Sequence, residues 1–447
     1  MSLMKTDVLI IGGGPAGIVT AVTAKQNYPE KKIVVVRREK RVVVPCGIPY
    51  IFGTLRDVEK NIIPDSVLTS KGIDILVDEI EDVDIEKKVA KSKSHGEIEF
   101  EKLVLATGSK PIKPPIKGID GNNVFFVRKN PEYLQELMKR INESESVVII
   151  GGGFIGVEFA DDLRKLGKKV SIVELLPHIL STSFDDEFCE LAEEELRKIG
   201  VELYTNSKVV EIREDGVVLS NGKEIAGDIV IVCVGARPNV DLAEKMGLKV
   251  SKNGIVVDEY MRTSHPDIFA VGDCAEKRDF FTREIKPVML ASVATAEARI
   301  AGANLYKIKA FKQFKGTLGI FATKVGNIAL GAAGLIEKQA RREGFDYVVG
   351  RSEATDKHPG TLPGASKVKV KLLFTKQGGF FLGAQIAGGD TVGEMINLVG
   401  FAIENGYTAA RYMTLQIGTH PLLTPAPTAP VTLKAAEDAW MKICGNK

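Results

Sequence analysis

The stretch "DVLIIGGGPAGIVTAVTAKQ", residues 7–26, sets an apolar run against a glycine cluster and follows it with a helix-period segment. A strand, a tight turn and a helix are what such a segment supports. Gly12, Gly14 and Gly17 supply a GxGxxG spacing, and Pro15 stands at the expected helix start. Missing side chains there let a pyrophosphate rest on backbone amides at a helix N-terminus, where the dipole favours anions. The design returns in "SVVIIGGGFIGVEFADDLRKLGKKVSIVEL", residues 146–175, with Gly151, Gly153, Phe154, Ile155 and Gly156 in the turn. A β-branched run follows each helix, at 32–36 and 169–173, completing two βαβ units. One GxGxxG is weak evidence in a glycine-rich chain. Two copies, each between an apolar strand and a helix, predict an α/β protein with two Rossmann-like dinucleotide-binding domains.

Outward from these units, "FEKLVLATGSKPIKPP" (100–115) is an apolar strand ending in Ala106, Thr107 and Gly108 before prolines break it. "DIVIVCVGARPNV" (228–240), with Gly235, repeats that pattern, and "HPDIFAVGDCAE" (265–276) ends another strand at Gly272 and Asp273. From about Phe314 short strand-like runs with glycine turns give way to helices, the pattern of a third, α+β domain. A length of 447 residues accommodates three domains. With 60 basic and 58 acidic residues the chain gives no electrostatic case for nucleic acid or an anionic membrane. The N-terminal segment reads as neither a secretion signal nor a membrane span, so a soluble, cytoplasmic protein is expected. Five scattered cysteines without a CxxC pair argue against a disulfide scaffold or a metal site.

The acid expected on a ribose separates the two units. Glu174 ends the strand at 169–173 and no arginine follows in "ELLPHIL", which suits NADH over NADPH. In the first unit Arg37 holds that position, leaving Arg38 and Glu39 as the remaining candidates; a solvated basic turn over 37–41 is the alternative. Two dinucleotide sites in one chain make FAD plus a nicotinamide the economical pair. "RVVVPCGIPY" (41–50) then sets Cys46 between backbone-fixing Pro45, Gly47 and Pro49, close to the first helix N-terminus, where positive potential stabilises a thiolate. Cys189, Cys233, Cys274 and Cys444 read as small buried hydrophobes.

The order GGGPAG, PCGIPY, ATG, GGGFIGVE with Glu174, VGARPN and IFAVGDCAE resembles the pyridine nucleotide-disulfide oxidoreductases over nearly the whole chain. Within that family it is similar to the single-cysteine branch of coenzyme A-disulfide reductases, NADH oxidases and peroxidases, and persulfide reductases. The resemblance implies an FAD-binding domain over 1–118 and 252–313, an NAD(P)H-binding domain over 119–251 and a dimerisation domain over 314–447. It places Gly12, Gly14, Gly17, Thr107, Gly108, Gly272 and Asp273 on FAD, with Asp273 on the ribityl chain and Ile80 beside the adenine. Gly151, Gly153, Gly156, Glu174 and Gly235 fall on the NADH half, and Phe154 where the family stacks an aromatic over the flavin. The helix within 289–305 matches the one whose N-terminus faces the flavin pyrimidine, and Cys46 matches the redox cysteine. In the family that thiolate attacks a disulfide or sulfane sulfur, or is oxidised by peroxide, and is then reduced again.

Departures narrow the choice. The peroxidases' histidine in the first loop is Pro15 here, and the paired basic residues that hold coenzyme A phosphates shrink to Lys25, so coenzyme A as substrate or bound thiol is in doubt. Two family tyrosines near the cysteine match His358 in "DKHPG" and His420 in "GTHPLLTPAP", either of which can protonate a sulfur leaving group near neutral pH. The reading is a homodimeric enzyme that reduces a small disulfide, persulfide or polysulfide with NADH through Cys46. Its rivals are an NADH oxidase reducing O2 and an electron-transfer reductase for a carrier protein such as rubredoxin; a quinone reductase is a third.

Overall fold

A computed structural model describes residues 3–311 and 316–445, so the expected domain start near Phe314 lies outside the described residues. The chain opens with β1 (Met4–Ile11), α1 (Pro15–Asn27) and β2 (Ile33–Arg37), then β3 (Asp74–Val77), β4 (Ile80–Asp84), β5 (Val89–Ser92) and β6 (Gly96–Leu105). Next come β7 (Ser146–Ile150), α2 (Phe154–Arg164), β8 (Lys169–Val173), α3 (Asp186–Lys198), β9 (Val201–Tyr204) and β10 (Ile229–Val232). After these follow β11 (Ile268–Ala270), α4 (Ala291–Asn304), β12 (Ile320–Val325), β13 (Ile328–Gly334) and α5 (Glu337–Arg342). The last elements used below are β14 (Tyr347–Thr355), β15 (Lys367–Thr375), β16 (Phe381–Gly388), α6 (Val392–Glu404) and α7 (Val431–Ile443).

Two compact units emerge. The first gathers the chain up to Pro114 with Phe126–Glu143 and Val234–Thr317; the second gathers Pro115–Phe125, Ser144–Cys233 and the chain from Leu318 onward. In the first, β3, β2, β1, β6, β5 and β4 lie side by side, with β11 parallel to β6. β1 is parallel to both β2 and β6, and α1 is the crossover that carries the chain from β1 to β2. A strand covered on both faces should be apolar throughout. Val8, Leu9 and Ile10 have no exposed surface, and each such side chain stabilises the fold by roughly 1.5–3 kcal/mol. Small residues let α1 approach α4: a Cβ on Gly302 would lie 2.8 Å from the Thr20 carbonyl oxygen.

The second unit contains the other parallel sheet, with β7 between β8 and β10 and β9 outside β8. It also contains an antiparallel sheet in the order β12, β13, β16, β15, β14, with α6 against β13 and β16 and α7 against β14. The glycine-punctuated run after Thr317 is thus a hairpin, its turn at Gly326, whose φ is +53°. Cys189 and Cys274 are buried as expected, Cys233 is half-buried, and Cys444 is exposed because it falls just beyond the last turn of α7.

Within this unit a buried lysine joins three carboxylates. Lys371 on β15 reaches Asp185 at 2.8 Å, Glu187 at 3.1 Å and Glu337 at 2.6 Å. Asp185 precedes α3, accepts from Gln385 Nε2 at 2.6 Å and from the backbone N–H of Glu337 at 3.1 Å, and so serves the N-terminus of α5. Glu187 is also held by Arg351 and Lys369. Although burial opposes it, bonds from Lys369, Arg351 and Lys371 lower the Glu187 carboxyl from 4.5 to about 2. A depressed carboxyl contributes stability that is fully present above its unfolded value and is lost as pH falls through its folded value. Thermal unfolding midpoints should therefore fall between about pH 4.5 and pH 2. Lys371→Met leaves the buried Asp185 carboxylate without a cation and should lower stability at pH 7 by about 3 kcal/mol in chemical denaturation.

Candidate functional site

The first glycine turn is dictated by sterics. Gly12 has φ of +121°, and a Cβ there would lie 2.1 Å from the Ala106 carbonyl oxygen at the end of β6. A Cβ on Gly17 would lie 1.9 Å from the Gly12 oxygen, so α1 leaves the turn closer than any side chain permits. Gly14 is the N-cap of α1 without a side-chain cap bond, and the first turn carries Pro15 but no acid. A Cβ on Gly14 would meet nothing within 4 Å, so a cradle of open amides faces free space, as a bound pyrophosphate requires.

Two more strand ends converge on this cradle. The Ala106 amide donates to the Ile11 oxygen at 2.8 Å. Thr107 Oγ1 donates to the Asn239 oxygen at 2.7 Å, and the Asn239 amide donates to the Gly108 oxygen at 2.9 Å, which braces that turn. Gly272, with φ of +77°, presses on the first turn of α1: its Cβ would lie 2.9 Å from Ala16 Cβ. Beyond it Asp273 accepts from Ser109 Oγ at 2.8 Å and from Lys129 Nζ at 3.2 Å. The adenine-side expectations fall at the sheet edge. Ile80 is buried on β4, Arg38 is exposed and pairs loosely with Glu79 at 3.6 Å, and Glu39 is half-buried. Gly235 has φ of +101° and accepts from the Ile112 amide.

Arg37 is no solvated turn residue. It is 4% exposed, grips Asp65 with both terminal nitrogens at 2.7 Å, and lies against Gly13, whose Cβ would come within 2.7 Å of Arg37 Cδ. Arg38 and Lys40 are the exposed members of that run. Asp65 gave no local signal, because it lies 28 residues along the chain from the end of the strand that carries Arg37.

Cys46 is exposed on a short 3-10 helix, Pro45–Ile51. Asn61, itself buried, locks the entry: its Nδ2 donates to the Val44 oxygen at 3.0 Å, and the Val44 amide donates to the Asn61 oxygen at 2.8 Å. A Cβ on Gly47 would lie 2.1 Å from Asn61 Oδ1, which accounts for the glycine after the cysteine. Ile48, Pro49 and Ile51 anchor the helix in the core. Burial pushes the Cys189 and Cys233 thiols up to about 12 and raises Cys274 as well, so none of these ionises readily at neutral pH.

The second turn repeats the first. Gly151 has φ of +107°, Gly153 is the N-cap of α2, and a Cβ on Gly156 would lie 2.0 Å from the Gly151 oxygen. Glu174 reaches the loop itself: Oε2 accepts from the Gly152 amide at 2.6 Å and Oε1 from the Leu176 amide at 2.7 Å. Ile155 is exposed, while Phe154 meets Phe321 edge-on at 5.1 Å and Phe184 at 6.2 Å.

The histidine loops are brought together in this unit. The His358 amide donates to the Pro421 oxygen, and His358 Nδ1 lies 2.9 Å from the Thr424 oxygen. A carbonyl can only accept, so Nδ1 carries the proton and Nε2 of the neutral ring is an acceptor. His420 is exposed, and its Nδ1 accepts from the Leu422 amide at 3.3 Å, which leaves an Nε2–H donor in the neutral ring. Lys25 is engaged in its own loop, donating to the Pro29 and Lys31 oxygens at 2.8 and 2.9 Å.

The description "Pyridine nucleotide-disulphide oxidoreductase" belongs to the family that matches residues 6–298, and its dimerisation domain matches residues 320–430. The chain belongs to this family and is an FAD- and NAD(P)H-dependent oxidoreductase. It is 33% identical to an NADH oxidase of Methanocaldococcus jannaschii over 450 residues, covering 97% of this chain and 99% of that one. It is 32% identical to an NAD(P)H coenzyme A polysulfide/persulfide reductase of Pyrococcus horikoshii, covering 87% and 88%. The solved NAD-dependent persulfide reductase from A. fulgidus superposes with a TM-score of 0.91 at 31% identity, covering 99% of this chain and 84% of that one. No helix among the described residues is long and apolar enough to cross a membrane.

With an acid placed on the loop, NADH should be used better than NADPH. On the expectation that Glu174 contacts the ribose, Glu174→Gln should cut the ratio of their kcat/KM values by about tenfold in steady-state assays, since a charged acceptor is replaced by a neutral one.

Proposed function

We propose that this chain is a homodimeric, cytoplasmic enzyme that uses NADH to reduce a small disulfide, persulfide or polysulfide through Cys46. The observation that carries this reading is the contrast among thiols: Cys46 stands exposed on a turn locked by Asn61 in the unit that contains the first nucleotide cradle, while burial holds Cys189, Cys233 and Cys274 protonated. The exposed Cys444 ends α7 and has no such frame. The cradle of Gly12, Gly14 and Gly17 fits the pyrophosphate of FAD, with Asp273 for its sugar chain and Ile80 toward its adenine; that of Gly151, Gly153 and Gly156 fits NADH, with Glu174 on the ribose. Bound there, FAD supplies the two-electron relay from NADH to sulfur. Residues 1–118 with 252–313, 119–251, and 314–447 are the FAD, NADH and dimerisation domains in this reading.

The Cys46 thiolate attacks one sulfur of the substrate, forming a mixed disulfide as the S–S bond of the substrate breaks. The departing sulfur takes up a proton from His358 in its imidazolium form, which carries one on Nε2 as well as on Nδ1, while the Nε2–H of His420 can hydrogen-bond the departing sulfur. Two electrons then cleave the mixed disulfide, releasing the second thiol and restoring the Cys46 thiolate. Dimerisation is supported by the matched dimerisation domain and by Leu398 and Phe401, which α6 leaves exposed. Coenzyme A as substrate or bound thiol is favoured by the P. horikoshii relative, although the Lys25 ammonium already binds two carbonyls. Oxygen as acceptor is the second reading, favoured by the M. jannaschii relative.

Anaerobic turnover with NADH and polysulfide separates the two. Cys46→Ser should lose sulfide production by on the order of 100-fold or more while NADH still bleaches the flavin at the wild-type rate. Undiminished sulfide production in that variant would sink the reading; activity with oxygen alone would favour the oxidase. His358→Phe and His420→Phe should together slow disulfide turnover by about 100-fold between pH 6 and 9, the scale of a lost proton donor.

A further inference from the structure

Beneath the turn that carries Asp273 lie two buried charges that the reaction above does not use. Lys277 Nζ and Glu297 Oε2 are 3.1 Å apart, and both residues are buried. Glu297 rises from α4, and its Oε2 also accepts from the Gly272 amide at 2.9 Å. Lys277 Nζ donates to the Gly272 oxygen at 2.6 Å and to the Ala275 oxygen at 2.8 Å. The pair therefore holds both the N–H and the C=O of one residue, the glycine immediately before Asp273.

Stability alone is a poor account of this arrangement. A buried ion pair loses about as much to desolvation as its attraction returns, and an apolar pair of similar volume often does as well. Burial also pushes the Glu297 carboxyl up, the expected response of an acid that water does not reach. What a polar pair provides and an apolar pair cannot is a grip on backbone groups. Gly272 needs one: it has φ of +77° and is wedged against Ala16 with no room for a side chain. A small rotation of its peptide would swing the Asp273 carboxylate away from Ser109 and Lys129.

We propose that Lys277 and Glu297 are positioning residues for Asp273: by holding both backbone groups of Gly272 they fix the direction of its carboxylate and so set the affinity of the first nucleotide site for the sugar chain of FAD. This rests on the reading that FAD occupies that site, with Asp273 as its sugar ligand.

The test uses apoprotein freed of flavin and titrated with FAD, following the quenching of flavin fluorescence, with circular dichroism recording the unfolding midpoint of each variant. Glu297→Ala should weaken FAD binding by about tenfold or more, the scale of losing a partner that orients a ligand-binding group. Glu297→Gln keeps an acceptor for the Gly272 amide and should recover most of that loss. Added to Asp273→Ala, Glu297→Ala should cost no more than about twofold further, because residues acting through one another are not additive. Should Glu297→Ala fail to fold, the paired Lys277→Met and Glu297→Leu variant keeps the volume, and should bind FAD weakly with an unchanged midpoint. Wild-type affinity in Glu297→Ala, or losses that multiply with those of Asp273→Ala, would overturn the proposal alone. A wild-type apoprotein that binds no FAD would overturn the cofactor assignment and the proposal with it.

Discussion

A backbone oxygen and a Cβ cannot share one position, and the structure is organised around two places where this exclusion is tightest. At Gly17 and again at Gly156 a side chain would lie within 2.0 Å of the oxygen of the glycine that opens the turn. Only because both positions lack a side chain can each helix begin against the strand that feeds it, with its amides pointing outward. In the first unit the constraint propagates. Gly12 sits hard against Ala106, Gly272 against Ala16 and Gly302 against Thr20, so β1, β6, α1 and α4 are held at backbone distance. A polar frame then surrounds the cradle, since the strand ends at Ala106–Gly108 and Gly272–Asp273 have nowhere else to go.

This explains what could be read from the sequence. The glycine spacings, the apolar runs before them and the β-branched runs after them are local, and each appears as expected: β1, α1 and β2, then β7, α2 and β8. The late strands at 347–355, 367–375 and 381–388 were legible for the same reason, as alternating or apolar runs between turns. The hidden contacts join residues far apart in the chain. Nothing near Arg37 announces Asp65, nothing near Phe154 announces Phe321, and Gln385 is far from the Asp185 carboxylate it satisfies. Arg37 shows how a composition argument fails: three of the five residues from 37 to 41 are arginine, yet the first points inward because the strand that ends there is buried along its whole length. Cys444 failed in the opposite direction, an apolar-leaning residue left in solvent by the end of its helix.

Charge burial follows one rule in both units. Each unit contains a lysine almost without solvent, Lys277 in the first and Lys371 in the second. Neither relies on a single acceptor. Lys277 has a carboxylate and two carbonyl oxygens, and Lys371 has three carboxylates. An ammonium has three donors, and a buried one is tolerable only when each finds an acceptor. The two clusters differ in what they grip. In the second unit the acids belong to α3 and to the start of α5, so the cluster ties helices to the β15 strand. In the first the acceptors are the backbone of a single turn, so the charges act on the direction of one peptide.

The same economy of support bears on Cys46. A reactive thiol on a mobile loop would meet its partner sulfur in many geometries, most of them unproductive, because displacement at sulfur needs the attacking and leaving atoms in line. Here Asn61 satisfies the backbone at the entry of the turn, Gly47 makes room for that amide, and Ile48, Pro49 and Ile51 fasten the exit in the core. The cysteine is thus exposed in its side chain and fixed in its backbone. A second protein cysteine would be needed only if the thiol had to resolve its own disulfide. In the proposed reaction the partner sulfur arrives on the substrate, so one fixed thiol is enough, and burial keeps Cys189, Cys233 and Cys274 from ionising as rival nucleophiles.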